Sequence, residues 1–270
     1  MPDEAPYMSL VQVAKLILPL LLAAGALVLA LRLRAFGPRP PVAPHTGVSE
    51  HATPLWFIGG GLFMLYLIRG AFLGDWDQRT TAIALAGISV GLLALTAGVH
   101  AMLRWRHSEP IGVSAGLIPR ALLPALLASI FAVPITYLVS TASVRLWDLL
   151  DQEHASAHAM LAEMRDSPDP IYVAMLVLQA VVLVPILEEV IFRGHLQTAI
   201  HRAIGRPGVA IVVPSAVFAM IHDWWSMPAI FVLSLMMGVV YHRTNNLWAA
   251  IFVHAGFNGL TTTLFLITQR

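Results

Sequence analysis

Apolar residues run along this chain in long unbroken blocks, not in the alternation of strands or the single stripe of a soluble helix. Eight blocks stand out, at roughly 10–31, 54–73, 80–103, 121–144, 170–192, 208–224, 228–242 and 247–267. A helix crossing a bilayer takes ~20 mostly apolar residues. Backbone inside lipid must satisfy its own hydrogen bonds, as a helix or a closed barrel, and continuous apolar runs are not the two-residue pattern of a barrel. The pattern therefore predicts an all-α fold, a polytopic membrane bundle of about eight transmembrane helices.

Three connections are longer than tight turns. Residues 32–54 are rich in proline and polar side chains and read as an irregular loop, and residues 104–120 are short and basic. Residues 145–170 place Leu146, Leu149, Leu150, Ala157, Leu161 and Met164 among acids at near-helical spacing. That spacing predicts an amphipathic helix at the interface, ended by the prolines that follow. The chain divides into N-terminal spans with an interfacial linker, 1–168, and a helical core, 169–270, within one integrated membrane domain. The first apolar block could imitate a cleaved signal, but "MPDEAP" is acidic where a signal is positive, so it is read as a first span. Nine basic residues fall in odd-numbered loops against six on the other side, which favours odd loops inside and both termini outside.

Composition sharpens the picture. Of 270 residues, 58% are hydrophobic and 11% charged, against about 25% charged in soluble domains. Mean hydropathy is +0.76. These values indicate an integral, multi-pass membrane protein, with the cell membrane as its expected location and the lipid bilayer as its solvent. A net charge of +1 argues against a nucleic-acid partner, and the lack of cysteine excludes disulfides, thiolate nucleophiles and Cys-ligated metals.

Against that background, "LVPILEEVIFRGHL" at 183–196 is unexpected. An ionisable residue at the centre of a membrane helix costs about 2.5–3.5 kcal/mol on insertion scales and is read as functional. Three such clusters occur in the last four spans: Glu188-Glu189 with Arg193, Phe218 with His222, and His254 with Asn258. Glu189 and Arg193 are four apart, share a face and can pair; Glu188 points about 100° away. Gly205 is the expected turn after the fifth span, with Glu188 17 residues before it and His222 17 after. In an antiparallel hairpin both lie at one level, on the order of 25 Å from the turn. The eighth span, entered near Asn245-Asn246, returns His254 and Asn258 toward the same layer.

"EEVIFRG", "FAMIH" and "HAGFN", in that order, resemble the motifs of the CPBP family of intramembrane proteases. That family includes the CAAX endopeptidases and bacterial relatives (the Abi group) tied to bacteriocin processing or self-immunity. The resemblance covers roughly residues 170–267. It implies an intramembrane endopeptidase acting on peptide or membrane-protein substrates. It also implies that Glu188 and His222 activate water, that His254 and Asn258 stabilise the oxyanion, and that Glu189 and Arg193 support the site. Desolvation makes a buried carboxylate a better base, and donors on a rigid helix suit an oxyanion. No cofactor is favoured. The rival within the enzyme reading is zinc held by Glu188, His222 and His254, a His₂Glu set, although the compact H-E-x-x-H motif is absent.

Plainer readings compete. The Glu189–Arg193 pair could simply join helices, and single His or Asn residues in membrane helices are commonly interhelical glue. A small transporter with these charges lining an ion path, or a catalytically silent scaffold or immunity protein, are the non-enzymatic alternatives. Phe218 reads as packing, Trp224 and Trp225 as interface markers, and Arg69 as snorkelling. His154 and His158 read as solvated side chains of a polar linker. Gly59-Gly60-Gly61 and Gly194 read as points of close helix approach.

Overall fold

A computed structural model describes residues 78–105, 112–113, 115–155 and 157–268. The two first spans, Arg69 and Gly59-Gly60-Gly61 lie outside these residues. Among the described residues every regular element is helical. In chain order they are α1 (Gln78–Trp105), a 3₁₀ turn leading into α2 (Ile118–Leu149), and α3 (Ala159–Asp166). A long rod, α4, covers residues 170–204, and then come α5 (Pro207–Met220), α6 (Met227–Thr244) and α7 (Leu247–Thr268).

The starts and stops follow local chemistry. Helices α2, α4, α5 and α6 each open with a proline in the first turn, where the missing N–H costs nothing. Asp169 caps α4, its side chain accepting from the Ile171 N–H at 3.0 Å. Gly205, at φ +70°, ends α4, and Asn245, at φ +45°, ends α6, so both expected turns form.

Among the described residues, four stretches are long and apolar enough to cross a membrane: Ala115–Leu149, Pro170–His201, Trp224–Thr244 and Leu247–Thr268. Of the eight expected spans, the first two fall outside the described residues and one of the others is shorter than expected. The helix expected at 80–103 forms as α1, but the span expected at 208–224 does not reach its length. Helix α5 stops after 14 residues, ~21 Å of rise against a hydrocarbon core of about 30 Å. A second correction concerns the linker. Helix α2 continues to Leu149, the helix is broken at Asp151 with φ +52°, and α3 is a separate short helix. Met164 of α3 is buried against Tyr172 and Leu176 of α4, so α3 packs on the bundle as well as facing outward.

Helix α2 lies along α6 and α7, α6 along α5, and α7 against the first half of α4. On α2, Ala121, Ala125, Ala128 and Ala132 are buried at helical spacing, and small side chains let neighbouring helices approach closely. Leu122, Leu123 and Leu126 on the opposite side are 57–59% exposed, an apolar surface suited to lipid. The core at the centre of the bundle draws on Leu187, Phe192, Phe218, Leu233, Met237 and Val253.

Candidate active site

The site is built around an irregularity in α4. Pro185 has no N–H to give back along the helix, and its ring crowds the preceding turn. The rod answers with a π-helical turn over Gln179–Leu183, a short α segment over Val184–Glu189, and a second π stretch over Val190–Gln197. Such widened turns recur at functional sites. In the first, the Val184 N–H bonds to the Gln179 carbonyl. The matching donor for Ala180 would come from Pro185, which has none. Asn258 of α7 takes that place, its side-chain amide donating to the Ala180 carbonyl at 2.8 Å.

The α segment between the widened turns carries both carboxylates into the interior: Glu188 is 4% exposed and Glu189 fully buried. Arg193 is buried with them and donates through Nη1 to Glu189 Oε1 at 2.7 Å, the expected pair. Its Nη2 donates to Ser234 of α6 twice, to Oγ at 2.6 Å and to the carbonyl at 3.0 Å. The guanidinium also lies 5.0 Å from the centre of the Phe218 ring, within cation–π range.

His254 lies between the two carboxylates. Its Nδ1–H donates to Glu189 Oε1 at 2.9 Å, while Nε2 stands 3.8 Å from Glu188 Oε2, beyond direct hydrogen-bond length. The adjacent glutamates, expected to serve separate surroundings because they diverge on the helix, thus flank one imidazole. The other carboxylate oxygen of Glu189, Oε2, is buried without a hydrogen-bond partner among the described residues.

His222 sits just past the end of α5 and not within a span, because that helix stops early. Its Nδ1–H donates to the Phe218 carbonyl at 2.7 Å, which leaves the lone pair of the neutral ring on Nε2. The Phe218 ring is 4.7 Å from His222, 5.8 Å from His254 and 4.9 Å from Phe192, centre to centre. Phe218 is therefore the common wall of the cluster, more than the simple packing expected of it. Asn258 is half-buried one turn after His254; with one amide hydrogen on Ala180, it keeps a second.

The loop after His222 is clasped by the linker. His158 pairs with Asp223 at 2.8 Å and His154 with Asp148 at 3.0 Å, so the two histidines expected to be solvated each hold a carboxylate. Trp225 lies 4.8 Å from the His158 ring, and its carbonyl accepts from Trp147 Nε1 at 3.1 Å. Trp224 remains exposed. The carbonyl of Ala155, then Asp148, raise the His154 pKa above its ordinary value.

Among the described residues, no three His, Asp or Glu side chains are grouped as a metal-ligand set. The residue that sequence reasoning missed is Ser234. A lone serine in "FVLSLMM" is indistinguishable from a helix-lining small residue until its partner, 41 positions away, is known.

Comparison with curated proteins and with solved structures returned no match. Comparison with protein families did: residues 170–260, about a third of the chain, match the type II CAAX prenyl endopeptidase Rce1-like family. That stretch holds every polar residue of the cluster just described. The buried cluster thus belongs to an integral membrane protein whose residues 170–260 match an Rce1-like protease family.

Proposed function

We propose that the protein is an intramembrane endopeptidase of the cell membrane, hydrolysing peptide bonds of membrane-associated substrates without a metal. The observation that carries this reading is the burial of Glu188 beside His254, with Glu189 holding the far side of the same imidazole. A carboxylate so placed can serve as a general base toward a water molecule beside it.

In this mechanism a water molecule hydrogen-bonds to Glu188 and to the free Nε2 of His222. Glu188 takes a proton as the water oxygen attacks the peptide carbonyl carbon. The negative charge that develops on the carbonyl oxygen is met by Nε2–H of a doubly protonated His254 and by the second amide hydrogen of Asn258. Glu189 stabilises that imidazolium through Nδ1. When the C–N bond breaks, Glu188 returns the proton to the leaving nitrogen, giving a carboxylic acid and an amine. Proton transfer by a positioned base contributes about 10²–10⁴-fold, and one oxyanion donor about 10²–10³-fold in kcat.

The test is a mass-spectrometric comparison of membrane-protein cleavage products from cells holding wild-type or Glu188→Gln protein, with detergent-purified samples checked for folding. Products that disappear with a folded Glu188→Gln variant support the mechanism. Wild-type cleavage by that variant removes Glu188 from catalysis.

A further inference from the structure

We infer that Ser234 is a positioning residue for the proposed hydrolysis: it fixes the His254 imidazole through Arg193 and Glu189. The inference rests on the protease reading above and assigns a role to a residue outside the three sequence motifs.

The four side chains form one hydrogen-bonded chain across three helices. Ser234 on α6 accepts from Arg193, Arg193 donates to Glu189 on the same helix, and Glu189 accepts from His254 on α7. All four are at most 4% exposed, so water does not substitute for a missing member. The chain passes through one atom: Glu189 Oε1 receives both Arg193 Nη1 and His254 Nδ1, while Oε2 has no partner among the described residues. Moving the guanidinium therefore moves the anchor of the imidazole.

Ser234 sets the guanidinium by offering two acceptors to one nitrogen, its hydroxyl and its carbonyl. The α4–α6 contact is itself fixed one turn later. Gln197 donates to the Gly238 carbonyl at 2.9 Å, repeating the 41-residue offset of Arg193 and Ser234. A side chain at Gly238 would meet Gln197 Oε1 and Ile211 Cγ2 at 3.0 Å, so glycine there lets the helices approach without displacing either neighbour. With this rung holding the helices, loss of the Ser234 hydroxyl leaves Nη2 with the Ser234 carbonyl alone and lets the guanidinium shift without separating α4 from α6.

The experiment compares wild type, Ser234→Ala and Ser234→Cys as full chains in detergent. One measurement is ¹⁵N NMR of histidine-labelled protein, with the His254 signal assigned by its loss in His254→Asn. The other is the kinetics of cleavage of a substrate identified by the Glu188→Gln comparison. The sulfur of Ser234→Cys is a weak acceptor of similar size, so it covers the case in which Ser234→Ala does not fold.

The expected result is a displaced His254 signal with the His222 signal unmoved. The kcat should fall on the order of tenfold to a hundredfold, as misplacement near reacting groups produces, with KM within about twofold and cysteine intermediate. An unmoved His254 signal overturns the relay whatever the activity. A displaced signal with unchanged kcat overturns its bearing on the reaction. Equal displacement of His222 and His254 reduces Ser234 to general packing and also overturns it. Failure of the protease reading would show separately, as wild-type cleavage by Glu188→Gln, and the imidazole signals decide the relay in that case too.

Discussion

His254 donates its Nδ1 proton to Glu189 at 2.9 Å, at the oxygen that also receives Arg193. Three ionisable groups thus share one buried atom, and none can be altered alone. Removing one partner of a buried ion pair costs about 3–5 kcal/mol because it strands the other charge. Glu189→Gln should destabilise the detergent-solubilised protein by about that amount, and adding Arg193→Met should recover part of it. Chemical unfolding of the single and double variants measures both. Equal stability of wild type and Glu189→Gln would contradict the pairing.

Phe218 touches both imidazoles and the guanidinium with one ring. Its full burial predicts that Phe218→Ala costs about 3–5 kcal/mol, the usual range for emptying an aromatic site. Phe218→Leu should retain most of that stability yet lower cleavage, because an aliphatic chain keeps the volume and loses the ring face. Thermal unfolding beside cleavage rate separates the two effects.

Asp169 both caps α4 and pairs with Arg79. The Arg79 guanidinium, then the backbone N–H groups of Ile171 and Tyr172, hold its carboxyl below the ordinary 3.8, against the opposing effect of burial. A depressed carboxylate stabilises the fold above its unfolded pKa, and this contribution fades as pH falls through the lower folded value. Asp169→Ala should destabilise the fold at neutral pH, through loss of both the cap and the pairing with Arg79. The difference from wild type should shrink on acidification; a constant difference down to strongly acid pH would count against the linkage.

His154 behaves in the opposite sense. Its raised pKa means that its pairing with Asp148 contributes below the unfolded value of 6.5 and is lost as pH rises through the folded value. An NMR titration should place its midpoint above 6.5, and Asp148→Asn should move it down. A midpoint at or below 6.5 in wild type would exclude the clasp in its charged form.

Metal dependence has a direct assay. Under the glutamate mechanism, strong chelators leave cleavage unchanged. Loss of activity that zinc restores would instead assign Glu188, His222 and His254 to a metal.

Much of the site was legible because membrane burial makes every charge conspicuous. Glu189 with Arg193 followed from a four-residue spacing, and Gly205 and Asn245 were readable as helix ends from residue type. The convergence of both glutamates on His254 was not legible. It depends on where α7 sets His254 between the two diverging side chains, which the spacing along α4 does not give. Ser234 was invisible because its meaning lies in a partner far along the chain. The length of α5 was misjudged because the run was read on through "IHDW" to reach a span's length, while the backbone turns after Met220. The linker at 145–170 misled in a similar way, since helical spacing continued across Asp151, where the left-handed backbone breaks the helix.

The shortness of α5 has its own outcome for a reaction that consumes water. A rod ~9 Å shorter than the hydrocarbon core, with its foot at one face of the bilayer, would hold the imidazole at its tip short of the other face, beneath a polar, tryptophan-flanked loop. Lipid meeting so short a neighbour must thin or draw aside. That local dimple would let solvent descend to the scissile bond, so the substrate need not rise out of the bilayer to be cut.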